Sequence, residues 1–146
     1  MKLLISLLIS MICLASSQAF SKELGSRLGV GYRSNYVTFD LPSVSTIYYP
    51  NNETAVVGSL GLDTQENNSK FALMAGVRRI VFKEEMMNFF MGGNVAMITN
   101  EVATVKDSGF ELAALVGGEF FLNGLDSLGF TFETGVGVTN VKKVRF

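Results

Sequence analysis

Leu128-Gly129-Phe130-Thr131-Phe132-Glu133-Thr134-Gly135-Val136-Gly137-Val138 alternates without a break. Leu128, Phe130, Phe132, Thr134, Val136 and Val138 fall on one face. Gly129, Thr131, Glu133, Gly135 and Gly137 fall on the other. A period of two over about ten residues marks a strand with one apolar face. A helix is excluded, because glycine at alternate positions costs about 1 kcal/mol each relative to alanine. Leu24 to Arg33 repeats the pattern, with Leu24, Ser26, Leu28, Val30 and Tyr32 opposite Gly25, Arg27, Gly29, Gly31 and Arg33.

Working outward, seven such segments emerge, at 24–34, 44–50, 54–64, 70–82, 86–99, 109–122 and 127–138. The second is the weakest and reaches back towards Tyr36. Pro50-Asn51-Asn52-Glu53, Lys83-Glu84-Glu85 and Asn123-Gly124-Leu125-Asp126 read as tight turns. The connections at 35–43, 65–69 and 100–108 read as longer, polar loops. Such an arrangement predicts an all-β, antiparallel up-and-down transmembrane β-barrel of the eight-stranded type, with seven strands evident and the tight turns in the periplasm. An even strand number is expected. Either residues 139–146 close the barrel as a short distorted strand, or the eighth strand is absent.

Composition agrees with a membrane β-protein. The 146 residues allow one domain, 48% are hydrophobic and only 17% are charged, against about 25% in soluble domains. The net charge of −1 offers no basic field for nucleic acid. Histidine is absent, which removes the common triads and the usual metal sites. No cofactor motif is present: Gly29-Val30-Gly31 and Gly135-Val136-Gly137 lack the third glycine and following helix of a dinucleotide fingerprint.

Met1 to Ala19 reads as a signal peptide. Lys2 forms a short positive region, Leu3 to Leu14 an apolar run, and Ser17-Gln18-Ala19 a small-residue cleavage site before Phe20. The run is short for a bilayer-spanning helix, which needs about 20 residues. The single cysteine, Cys13, lies within this leader, so the mature domain 20–146 is expected to hold no disulfide. No later run suits a membrane helix, so any spanning is by strands.

Leu28-Gly29-Val30-Gly31-Tyr32-Arg33, Ala75-Gly76-Val77-Arg78 and Leu115-Val116-Gly117-Gly118-Glu119-Phe120-Phe121, followed by the 128–138 strand, resemble the small outer-membrane β-barrel proteins of Gram-negative bacteria, the outer-membrane protein W-like and opacity-like group. The resemblance covers nearly all of the mature chain. It implies residence in the bacterial outer membrane, contact with its lipid, insertion by the barrel-assembly machinery, a monomer and no enzymatic activity. Members of that group continue past the Glu-x-Gly-x-Gly segment into a closing strand, so the resemblance implies a member lacking its last strand.

The face opposite the aliphatic residues should line a lumen. It carries Arg27, Arg33, Asp63, Arg78, Glu111, Glu119 and Glu133, with Asn88 and Asn94. Arginine and glutamate on neighbouring strands should pair, since a buried lone charge costs several kcal/mol. The favoured reading is a polar core that plugs the barrel. A narrow ion path is the second reading, and for a catalytic carboxylate pair nothing positions a substrate. Arg78 and Arg79 cannot both face inward, so one is expected at a membrane edge. Tyr32, Tyr36, Tyr48, Tyr49, Phe89, Phe90, Phe120 and Phe121 suit either interfacial girdles or ordinary strand packing. The alternative fold assignment is a soluble lipocalin-like barrel holding an apolar ligand. It needs a well-charged exterior, which the glycine-rich second face does not supply.

Overall fold

The computed structural model describes residues 23–36, 40–66, 68–102, 105–122 and 124–144. The expected leader, 1–19, and the terminal Phe146 lie outside them. Seven strands form: β1 (Arg27–Asn35), β2 (Asp40–Tyr49), β3 (Thr54–Gln65), β4 (Asn68–Lys83), β5 (Met87–Val102), β6 (Val105–Leu122) and β7 (Leu125–Val144). Each pairs antiparallel with its chain neighbour, giving one sheet in the order β1 to β7. The protein is therefore all-β and up-and-down, and the sheet curls into a half-barrel. Among the described residues β1 and β7 form no ladder with each other.

Alternation sets the two faces. Leu28, Val30, Val44, Val56, Leu60, Leu73, Val77, Val95, Met97, Leu112, Val116, Phe130, Phe132, Val136 and Val138 project from the convex side and are exposed. Their chain neighbours turn inward, where two apolar clusters sit. Tyr36, Leu41, Val57, Ala72, Met74, Ala96 and Ile98 form one, and Leu24, Tyr49, Ala55 and Ile80 the other. Tyr36 belongs to the first through its ring and hydrogen-bonds through its hydroxyl, 2.6 Å from Ser59 Oγ and 3.1 Å from Ser43 Oγ.

Two expectations about the chain's ends and loops change. Residues 139–144 are not an eighth strand. They prolong β7, pairing from Glu111↔Thr139 to Lys106↔Val144 with no break in register. The long loops contract as well. Residues 36–39, 66–67 and 103–104 connect strands at one end, and 50–53, 84–86 and 123–124 at the other. Most of the polar residues read as loop are strand, so loop length does not orient the molecule.

At the second end the chain is held by asparagine. Asn51 Oδ1 accepts the amides of Glu53 and Thr54, both at 2.9 Å, the side-chain turn that asparagine favours. Asn52 Oδ1 accepts the amides of Leu24 at 3.1 Å and Gly25 at 2.6 Å. Ser26, at φ 61°, then turns the chain into β1, leaving Leu24 buried beneath Tyr49. Gly124 takes φ 80° in the β6–β7 turn, where a residue without Cβ is unstrained.

Candidate functional site

A network of charged and hydroxyl side chains crosses the interior beside the two apolar clusters. Its centre is Glu133 on β7. Arg78 of β4 donates from Nη2 to Glu133 Oε2 at 2.6 Å, and Arg33 of β1 forms an ion pair with the other carboxylate oxygen. The Arg78 guanidinium also lies over the Phe90 ring, 4.4 Å from its centre, a cation–π contact. On the opposite side the Tyr49 hydroxyl of β2 sits 2.5 and 2.6 Å from the two oxygens of Glu119 on β6, to which it donates. Glu111 on β6 is fully buried and is itself engaged with a partner.

Asp63 of β3 stays half-exposed, accepting from Gln65 Nε2 at 3.3 Å, and five of the other six charged residues expected inside are brought to the interior: Arg33, Arg78, Glu111, Glu119 and Glu133. Arg27 is not. It shares the parity of Arg33 but stands exposed at the start of β1, because the sheet has no strand beyond β1 to enclose it. The pairing scheme also differs from expectation. The two ion pairs and the tyrosine bond run β1 to β7, β4 to β7 and β2 to β6, across the curl. Neighbouring strands hold their inward side chains nearly parallel, whereas strands on facing walls point them at one another. Arg79 faces outward as the partner of an inward Arg78 must, 3.7 Å from Glu53 in an exposed pair.

Tyr49 was absent from the expected interior set, and so were the interior roles of Tyr36 and Phe90. All three are buried inside, so they form no girdle. The signal was available: Tyr49 has the parity of Ser43, Ser45 and Ile47, and successive residues Tyr48 and Tyr49 cannot share a face. Asn88 and Asn94 are buried on the inner face as expected, and Asn94 Oδ1 finds no hydrogen-bond donor.

The network has a mechanical meaning. Three long-range polar contacts, Arg33–Glu133, Arg78–Glu133 and Tyr49–Glu119, tie opposite walls and hold the sheet curled. A cavity of about 1290 Å³ remains within the curl, lined from all seven strands by residues that include Arg33, Tyr49, Val57, Arg78, Asn94, Glu119 and Glu133.

Comparison with protein-family models, with curated proteins and with solved structures gives no match.

Proposed function

We propose that this chain is an integral outer-membrane β-barrel protein of the small Gram-negative type, structural in role, with a plugged polar interior. One observation carries the reading: the outer face is apolar and the charges lie inside. The convex surface bears a continuous field of exposed aliphatic and aromatic side chains, while Arg78, Glu111 and Glu119 are buried inside. A soluble domain keeps contiguous apolar patches to a few hundred Å². An outer-membrane barrel presents such a band to lipid and turns polar residues inward. The leader-like start of the sequence agrees with export. In this reading the partners are outer-membrane lipid and the barrel-assembly machinery, and the protein acts as a monomer without a cofactor.

Fractionation tests it. After cell lysis the protein should stay with membranes through a high-salt wash and leave them only in detergent; release by salt alone sinks the proposal. In planar bilayers the plugged interior should give no current above background, and steady unit conductance would replace the plug by a pore.

The two interior apolar clusters favour a second reading, a lipocalin-like carrier of an apolar ligand. It has the buried charges of the interior against it, and it leaves the convex surface facing water.

A further inference from the structure

We infer that Arg79 and Glu53 form an outer-face site for one zwitterionic lipid headgroup, a phosphodiester linked to a primary ammonium, as in phosphatidylethanolamine. The inference rests on the membrane reading and deepens it, naming the lipid that the outer face holds at this spot.

Parity sets Arg79 among apolar neighbours. On β4 it shares the outward face with Leu73, Val77 and Val81, all exposed. Across the ladders its outward neighbours are Thr54 on β3 and Met91 on β5. The β4–β5 register slips between Ile80 and Phe82. Val81 and Phe82 are both exposed there, so apolar surface continues past Arg79 towards the turn at 84–86. A charge on a lipid-facing surface is costly unless it finds a partner or reaches headgroups.

The chain's own partner does not close on it. Arg79 Nη2 lies 3.7 Å from Glu53 Oε2, and the two side chains are 73% and 63% exposed. A charge-assisted hydrogen bond between such groups is about 2.7–2.9 Å long. Neither side chain hydrogen-bonds another described residue, so both keep their hydrogen-bonding capacity open. Their backbones, by contrast, are fixed. Glu53 N–H donates to Asn51 Oδ1 at 2.9 Å. The Glu53 carbonyl accepts the N–H of Ile80, the chain neighbour of Arg79, at 2.7 Å. Opposite charges therefore stand side by side on docked backbone, open to the outside.

Chemistry then selects the ligand. A planar guanidinium fits two oxygens of a phosphate. The carboxylate beside it repels an anion that brings no positive charge of its own. A primary ammonium answers the carboxylate with N–H donors. A choline headgroup has the positive charge without the N–H, and a glycerol headgroup has neither. The acyl chains of the bound lipid would run over Val56 and Val77, which are paired and exposed.

The chain contains no tryptophan, so one introduced indole reports its own surroundings. Val77→Trp places it where those acyl chains would lie. Val138→Trp places it on the exposed face of β7, three strands away. Each full-chain variant is folded into phosphatidylcholine vesicles containing one lipid with brominated acyl chains, which quench indole fluorescence on contact. At equal mole fraction, brominated phosphatidylethanolamine should quench Val77→Trp with about threefold higher apparent affinity than brominated phosphatidylcholine or phosphatidylglycerol, the scale of an exposed ion pair. At Val138→Trp the three should quench alike. Adding Arg79→Gln should abolish the preference at Val77→Trp, and adding Glu53→Gln should transfer it to phosphatidylglycerol. Both substituted side chains are exposed, so the heat-induced shift in gel migration should stay unchanged. Equal quenching by the three lipids at Val77→Trp, a preference for phosphatidylglycerol before substitution, or a preference that survives Arg79→Gln overturns the inference. Loss of bromine quenching at both tryptophans would sink the membrane reading itself, and the site with it.

Discussion

At the residue scale, Glu133 does most to hold the curl, since two guanidinium groups share its carboxylate. Glu133→Gln leaves two largely buried arginines facing a neutral amide. Breaking a buried pair costs about 3–5 kcal/mol, and urea unfolding in detergent should show a loss of that order. Tyr49→Phe removes one partner of Glu119 and spares the packing of the ring. A hydrogen bond to a charged group is worth about 1.5–3 kcal/mol, so its unfolding midpoint should fall less than that of Glu133→Gln. Parity made the inward position of these residues legible in the sequence. Their partners were not legible, because pairing across the interior depends on how tightly the sheet curls. Strand spacing and alternation do not encode that.

At the element scale, all seven strands were readable and their ends were not. Polar runs such as Asn68 to Ser69, Asn100 to Glu101 and Lys106 to Ser108 look like loops, yet they are strand. Geometry explains them. β7 has 20 residues; at about 3.3 Å per residue and a tilt of about 40° it rises about 50 Å, against an apolar band of about 25 Å. In the proposed membrane setting the hairpin tips of β4 to β7 would stand in water, where polar side chains belong, while their backbones stay paired. Within β5 this makes a sharp contrast. Val95→Lys, an exposed outward position between Ala75 and Leu112 in the apolar field, should cost about 2–4 kcal/mol in vesicles. Asn100→Lys, beyond the band, should stay within about 0.5 kcal/mol. Equal tolerance of both would mean a water-facing surface. Packing between strands supplies another test. A Cβ on Gly92 would lie 2.3 Å from the Val77 carbonyl oxygen and 3.1 Å from Arg78 Cα. Gly92→Ala should therefore force β4 and β5 apart and cost about 1–3 kcal/mol. Gly31→Ala, with open space beside it, should be near neutral in the same denaturant series.

At the scale of the whole molecule, the meander makes every ladder local and leaves distant contacts to side chains. The walls can therefore zip up hairpin by hairpin before the charged network draws them round. Leu24 then stoppers the end near Asn52. Leu24→Ala should cost about 2–5 kcal/mol, as large-to-small changes in a packed interior do, read as a lower temperature for the heat-induced shift in gel migration.

On the proposed export route, the burial of Leu24 also constrains the order of events. Only residues 20–23 separate it from the leader expected to be cut after Ala19. Fully extended, four residues reach about 14 Å. A peptidase cannot seat so short a tether while its far end is packed with Tyr49 and the N–H groups of Leu24 and Gly25 hydrogen-bond Asn52. Processing must then come first and curling second, so a variant that keeps its leader uncut should also keep this end of the sheet open.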